Sequence, residues 1–168
     1  LLQGSNAVLR IEIDGSLAGP ADGFVLRSRV PGVPGCGGAG SIFRGLVINR
    51  WQGAAISVGE TACPLDLACI SGGVRILGNH IGTDASGMMA AGNGIALGRP
   101  TLAFGRGSTF NIVGEQVLGD GGATSPTPLA RNVIAAGGSH AIQIASPVAT
   151  QPAIDHRIRN NYIGLNAQ

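Results

Sequence analysis

Lysine is absent from this 168-residue sequence, and aromatic and charged residues are scarce. All eleven basic residues are arginines, while aromatic residues make up 4% and charged residues 12% of the chain. The net charge of +2 lacks the basic excess of a nucleic-acid-binding domain, and it is far from strongly acidic. With 44% hydrophobic residues, the composition is not that of a disordered protein. We therefore expect one folded domain over residues 1–168 and no nucleic-acid partner.

Long apolar runs are also missing. No segment approaches the roughly 20 apolar residues that a membrane-spanning helix needs, so no membrane span is expected. The first residues, LLQGSNAVLR, lack the basic region and apolar stretch of a signal peptide. Either a signal has been removed, or the chain is a segment of a longer protein.

Cysteine is rare and odd in number. The residues are Cys36, Cys63 and Cys69, so at most one disulfide can form within the chain. Two pairings stay open: a local Cys63–Cys69 loop, and a Cys36–Cys69 bridge between positions seven residues before Phe43 and Ile76. Unpaired thiols are the third possibility. The spacing does not match a zinc site, and a disulfide would indicate an oxidising compartment.

Helical periodicity is absent because glycine and proline interrupt every window long enough for a helix. Instead, one short pattern recurs, in which two apolar residues are separated by four others. Its copies are VLRIEI, FRGLVI, ILGNHI, IVGEQV, LARNVI and IRNNYI. Their last residues are predicted to share one interior column: Ile13, Ile48, Ile81, Val117, Ile134 and Ile163. A second short strand is predicted in GFVLR, AAISV, NGIAL and HAIQI.

This repeat predicts an all-β parallel solenoid of about six rungs. Each short strand pair cannot bury its apolar face alone, and stacked copies fill a continuous core. The competing fold is an antiparallel β-sandwich, which would show tight Asn-Gly turns between strands. The only Asn-Gly pair, Asn93-Gly94, comes directly before a predicted strand, which favours the solenoid.

Asparagines recur at one position of the repeat. Asn79, Asn132 and Asn161 each lie two residues before an interior isoleucine. Their amides are expected to stack, each bonding to its neighbour and to the backbone of the turn. In the adjoining GTDAS segment, Asp84 is expected to cap backbone amides. One carboxylate is too few for a calcium loop, so neither a metal nor a cofactor is expected.

The segments GNHIGTDASGMMAAGNGIAL, FNIVGEQVLGDGGATSPTPLARNVIAAGGSHAIQI and RNNYIGL resemble the Asn/Gly-rich repeats of bacterial right-handed parallel β-helix proteins, the pectin-lyase-like repeat proteins. The resemblance covers about residues 41–166. It implies a right-handed parallel β-helix and an extracellular or cell-surface location. It implies no single activity, because this fold carries lyases, hydrolases, adhesins and inert spacers.

The residues predicted to point outward supply little chemistry. One outward column reads Glu12, Val47, His80, Gln116, Val133 and Tyr162, and it places no two carboxylates side by side. His80 is expected to be an exposed strand residue. Asp155 and His156 alternate along one strand, which favours a solvated charged strand over a pocket. Trp51 is expected to cover the edge of the core.

Two function classes follow. The first is a non-catalytic extracellular structural module with a surface, adhesive or fibre-forming role. The alternative is a carbohydrate-active enzyme of the polysaccharide lyase or hydrolase type, in which loops would bring together Glu60, Asp66 and Asp120. The expected partners are further copies stacked end to end or the continuation of a longer solenoid, and carbohydrate is a possible ligand.

Overall fold

The structure is a computed structural model that describes residues 9–27, 40–59, 71–118, 123–125, 128–135, 137–146 and 152–164. Within these ranges the chain is all-β, with strands of two to four residues and one 3₁₀ turn at Pro128–Ala130. None of the described segments forms a helix of the length and apolar character needed to cross a membrane.

In the described residues, three parallel sheets of four or five strands form the body of the fold. The strands, numbered in chain order, are as follows. The first sheet contains β1 (Ile11–Asp14), β4 (Leu46–Asn49), β8 (His80–Ile81), β14 (Val133–Ile134) and β17 (Tyr162–Ile163). The second contains β2 (Phe24–Leu26), β5 (Ile56–Val58), β9 (Leu102–Phe104) and β15 (Ile142–Ile144). The third contains β3 (Ile42–Arg44), β7 (Arg75–Leu77), β11 (Ile112–Val113) and β16 (Arg157–Ile158). A short parallel pair, β6 (Ser71–Gly72) and β10 (Ser108–Thr109), lies between the second and third sheets in chain order.

The chain visits the three sheets in a repeating order. It passes from the first to the second to the third sheet and back to the first, where the next strand pairs in parallel with the previous one. Parallel neighbours need a long crossover connection, and here the strands of the other two sheets supply it. This order is consistent with a β-helix-like solenoid. We call one passage through the three sheets a rung.

The interior column of the first sheet is in register across five strands. Ile13 pairs with Ile48, Ile48 with Ile81, Ile81 with Ile134, and Ile134 with Ile163. The three middle isoleucines are fully buried, whereas Ile163 is 54% exposed. Full burial of such a side chain stabilises the fold by about 1.5–3 kcal/mol. The other two sheets complete this core with Ile56, Leu102, Phe104, Ile76 and Val113.

Val117 is not part of this column, contrary to the prediction. Its strand, β12 (Gln116–Leu118), pairs antiparallel with β13 (Ala123–Ser125), and β14 lies directly beside β8. The intervening sequence contains Asp120-Gly121, a pair that favours hairpin turns, so local pairing competes with the rung position. The first sheet therefore has five strands in the described residues, rather than the six that the repeat predicted.

The predicted strand NGIAL is also wrong. Residues 93–98 form turns, and Ile95 and Leu97 are 66% and 47% exposed. The second sheet instead uses Leu102–Phe104, which pairs with Ile56–Val58 on one side and Ile142–Ile144 on the other. Asn93 explains the turn, because its side chain accepts a hydrogen bond from the Trp51 backbone N–H at 3.0 Å and donates one to the Ile48 carbonyl at 3.1 Å.

Asn79, Asn132 and Asn161 form a ladder at the turn between the third and first sheets. The Nδ2 group of Asn79 donates to Oδ1 of Asn132 at 3.1 Å, and that of Asn132 donates to Oδ1 of Asn161 at 2.8 Å. Each Nδ2 also donates to a backbone carbonyl of the preceding rung, in Phe43, Ile76 and Val113 respectively. The ladder therefore satisfies backbone groups that a buried turn would otherwise leave unpaired.

Candidate functional site

A groove of about 360 Å³ lies on the outer face of the second sheet. Its floor is formed by Ser57, Ala103 and Gln143, which are register partners on three successive strands. They point outward because their strand neighbours Ile56 and Leu102 fill the core. This size suits a small polar ligand or one short segment of a polymer.

The wall of the groove carries Arg99, Ser139 and His140, from turns that precede the strands. Asp22 holds the guanidinium in place, since Nη2 of Arg99 lies 3.1 Å from Oδ2 of Asp22. Ser139, His140 and Gln143 are exposed and offer hydroxyl, imidazole and amide groups. Among the described residues that line the groove there is no carboxylate. The groove can therefore donate and accept hydrogen bonds, but this lining contains no acid–base pair of carboxylates.

A pair of carboxylates lies elsewhere, on β1. Glu12 and Asp14 share one face of the strand, and both contact Nη1 of Arg50, at 3.1 and 2.9 Å. Comparing equivalent positions of different rungs does not reveal this pair, because both residues lie on the same strand. The sequence signal for it is the alternation Glu-x-Asp, which places two carboxylates on one face of a strand. A hydrogen bond from the Ser16 N–H lowers the pKa of Asp14. Because both carboxylates contact one guanidinium, the arrangement is that of an ion-pair cluster.

Ser108 and His156 resemble a nucleophile and its base, with 3.3 Å between Oγ and Nε2. The hydrogen bonds around them assign different roles. The Val74 N–H donates to Oδ1 of Asn111 at 3.0 Å, which fixes that amide so that its Nδ2 group faces Nδ1 of His156 at 3.2 Å. Nδ1 therefore accepts, Nε2 carries the proton and donates to Ser108, and the Ser108 hydroxyl donates to the Gly105 carbonyl at 2.7 Å. In this tautomer His156 cannot take a proton from Ser108.

Asp155 and His156 come directly before β16 rather than lying on a strand, and His156 is partly buried, which corrects the prediction of a solvated charged strand. Its ring packs on Phe104 with a centroid separation of 5.0 Å. Burial lowers the pKa of His156, and the nearby Asp155 opposes this effect. The neutral imidazole therefore ties β16 to the core of the preceding rung.

His80 is buried rather than exposed, because the loop formed by residues 82–92 folds over the outer face of the first sheet. Gly87 lies so close that a Cβ there would be 2.9 Å from Cε1 of the ring. Nδ1 lies 3.1 Å from the Ala85 carbonyl, so Nδ1 carries the proton. Nε2 is buried and has no hydrogen-bond partner among the residues that the structure describes. Burial lowers the pKa of His80.

The same loop is held by Asp84, which caps it as the sequence indicated. Its Oδ1 accepts hydrogen bonds from the Ser86 hydroxyl at 2.7 Å and from the Met88 and Met89 amides at 3.3 and 3.2 Å. These bonds lower the pKa of Asp84, with that from Ser86 the strongest. Asp84 therefore has a role within the loop, which explains its position among glycines.

Trp51 lies against the core edge as expected, and its Nε1 donates to the Ile13 carbonyl at 3.3 Å. The remaining predicted residues, Cys36, Cys63, Cys69, Glu60, Asp66 and Asp120, lie outside the described residues. Within the part of the chain that the structure describes, no three acidic, histidine or cysteine side chains group closely enough to hold a metal ion.

Comparison with protein-family models, with curated proteins and with solved structures gave no match to this chain.

Proposed function

We propose that this chain is a non-catalytic structural module, a right-handed parallel β-helix of the bacterial extracellular space or cell surface. The observation that carries the proposal is the asparagine ladder running beside an isoleucine column in register across five strands. The ladder links neighbouring rungs by hydrogen bonds, and the column packs them together. An extended scaffold of stacked repeats requires such contacts between neighbours. The resemblance to Asn/Gly-rich repeat proteins supports the handedness and the location.

The chemistry of the polar clusters also favours a structural role. The Ser108–His156 pair is bonded in a tautomer unsuited to nucleophilic catalysis, and Glu12 and Asp14 are bound to one guanidinium. These groups stabilise turns and rungs through hydrogen bonds.

We also propose carbohydrate as the ligand of the groove on the second sheet, which would give the module an adhesive role. The support is its lining of hydroxyl, amide and imidazole groups next to a guanidinium held by Asp22. Such groups pair with the hydroxyls of a sugar without needing charge on the ligand.

An oligosaccharide array read for both binding and turnover tests the two proposals together. We expect retention of some glycans without turnover, and weaker retention by Gln143→Ala. Gln52→Ala, an amide outside the groove lining, is the matched control and should bind like the original chain. Turnover of any glycan would overturn the non-catalytic assignment, whereas equal binding by both variants would overturn only the location of the ligand site.

A further inference from the structure

Three side chains in the middle of the first sheet's outer face are buried. Val47, His80 and Val133 are register partners on β4, β8 and β14, and they are 0%, 1% and 5% exposed. All three lie outside the core cluster, because the isoleucine that follows each of them along its strand points into the core. At the two ends of the same row, Glu12 is exposed and Tyr162 half-buried. The burial is therefore centred on His80, where the loop described above folds over the sheet.

The base of this loop is fastened to the first sheet. The Nδ2 group of Asn49 donates to the Thr83 carbonyl at 2.9 Å. Thr83 and Ala90 then form an antiparallel bridge, and residues 84–89 extend beyond it. We call residues 84–89 the loop tip. The bridge is a natural hinge, because the tip can lift there while the base stays bonded to β4.

The contacts between the loop tip and the sheet suit a neutral imidazole. The Ala85 carbonyl lies 3.1 Å from Nδ1 of His80, which carries the proton, and a Cβ at Gly87 would lie 2.9 Å from Cε1. Nε2 is buried and meets no hydrogen-bond acceptor among the described residues. A second proton, on Nε2, would create a buried positive charge without an acceptor. Such a charge is costly until water reaches it.

The charged groups around His80 do not compensate for that charge. Asp84 is the only charged residue of the loop, and its Oδ1 already accepts hydrogen bonds from within the tip. Burial lowers the pKa of His80, and the Ala85 carbonyl and the Asp84 carboxylate oppose this effect. The strands on either side present valines to the ring. The titratable groups farther along the row are bonded to arginines, Glu12 to Arg50 and Tyr162 to Arg131.

We infer that the loop tip is a pH-sensitive cover, which lifts from the first sheet when His80 takes up a proton and thereby exposes Val47 and Val133. With the tip lifted, the histidine titrates near its ordinary pKa of 6.5, whereas under the closed tip its pKa is lower. The closed form is therefore fully favoured above about pH 6.5, and the ratio of open to closed form rises by up to about tenfold per pH unit below it. The inference goes beyond the structural role proposed above, and it does not involve the groove.

The test measures the solvent exposure of methyl groups by NMR, with a soluble paramagnetic agent that broadens the signals of exposed groups. Val47 and Ile48 are neighbours on β4 that face opposite sides of the sheet, so Ile48 is an internal control. Between about pH 7.5 and about pH 5, broadening of the Val47 signals should increase about threefold or more, while Ile48 stays shielded. The midpoint should match the titration of the His80 ring, measured on the same sample. Joint exposure of Val47 and Ile48, or no change at Val47, would overturn the inference.

A pair of histidine variants assigns the response to one residue. His80→Gln stays uncharged over this pH range, so Val47 should remain shielded in acid. His156→Gln removes the other partly buried histidine and should open like the original chain. An unchanged pH response in His80→Gln, or its loss in His156→Gln, would contradict the role of His80.

A pair of glycine variants tests the cover without any titration, and it remains informative if His80→Gln does not fold. Gly87→Ala places a Cβ against the ring, so it should lift the tip and expose Val47 at neutral pH. Gly19→Ala is the matched control, because its φ of 72° is close to the 73° of Gly87 and its Cβ would meet nothing within 4 Å. It should leave Val47 shielded. If Val47 were equally shielded in both variants, the loop tip would not be its cover.

Discussion

At the scale of single residues, several buried polar side chains among the described residues bond to the backbone of a neighbouring rung. Asn132 illustrates this: it donates to the Ile76 carbonyl at 2.8 Å and accepts from the Asn79 backbone amide at 2.9 Å. Neither backbone group has water within reach, since both asparagines are fully buried. The cost of removing such a side chain is set by the groups it leaves unpaired, more than by the bonds it makes.

Asn132→Ala should therefore destabilise the fold strongly. Each buried group left without a partner costs about 1–3 kcal/mol, so we expect a loss of about 2–4 kcal/mol in the free energy of unfolding. Urea denaturation measures it, with Gln143→Ala as the control because Gln143 is exposed and should change the value by less than about 0.5 kcal/mol. Equal stability of the two variants would contradict the role of the ladder.

The buried His80 and the half-buried His156 should make stability depend on pH. The pKa values of His80 and His156 are lowered by burial, so the unfolded chain binds protons that the folded chain does not. Their contribution is constant above the unfolded pKa of about 6.5 and is lost as pH falls from there through the lowered folded values. The lowered pKa values of Asp14 and Asp84 act in a separate, more acidic window.

Urea denaturation at a series of pH values between about 8 and 5 tests this expectation. The free energy of unfolding should decline below about pH 6.5 in the original chain, and the variant His80→Gln with His156→Gln should lose most of that decline. His140→Gln, which changes an exposed histidine, should keep it. If the free energy of unfolding declined equally in the double variant, groups other than these two histidines would cause the decline.

At the scale of elements, the turns between the third and first sheets show how sequence and packing share the control of structure. Gly45 and Gly78 occupy equivalent turns with φ values of 70° and 61°. A Cβ at Gly45 would meet nothing within 4 Å, whereas one at Gly78 would lie 2.4 Å from the Leu129 carbonyl oxygen. A substitution at Gly45 therefore tests the cost of the backbone conformation alone. A substitution at Gly78 tests that cost together with the close contact to Leu129.

We expect Gly78→Ala to be clearly more destabilising than Gly45→Ala. Both variants place a side chain in the left-handed region at a cost of roughly 1–2 kcal/mol, but only Gly78→Ala also displaces the 3₁₀ turn at Pro128–Ala130. Thermal unfolding of the two variants side by side measures the difference. Equal melting temperatures would show that the turn at Pro128–Ala130 moves freely.

The elements also show how far sequence reasoning reaches. Parallel strands and the register of Ile13, Ile48, Ile81 and Ile134 follow from a local repeat, because columns of like side chains result from stacking. The place of Val117 does not follow from the repeat. Its segment fits the pattern, but its strand β12 pairs antiparallel with β13. The burial of His80 also does not follow from the repeat, because it depends on the loop of residues 82–92 folding back over the first sheet.

The candidate site was the least predictable part. Its floor depends on the register of Ser57, Ala103 and Gln143, and the predicted strand NGIAL stood where the structure has Leu102–Phe104. The wall depends on the Arg99–Asp22 ion pair, which joins residues 77 positions apart in the chain. Such pairings follow only from the completed stack, not from local pattern.

At the scale of the whole molecule, the two ends of the stack present edge strands. Within the described residues, β1 and β17 each pair on one side only. Apolar side chains are open to solvent there, with Ile11 59% and Ile163 54% exposed. Exposed edges with apolar side chains are templates for pairing with another chain. We propose that copies associate through these ends, with β17 of one copy adding to β1 of the next.

Such an association joins two different surfaces and does not close on itself, so it should build a chain of subunits along the stack axis. Sedimentation velocity over a range of concentrations should show species that grow with concentration. Ile163→Lys places a charge on the edge strand and should keep the chain monomeric, because edge lysines block strand addition. Ile95→Lys changes an isoleucine that is 66% exposed on a turn and should assemble like the original. A chain that stays monomeric at every concentration, or equal loss of assembly in both variants, would remove end-to-end pairing as the mode of association.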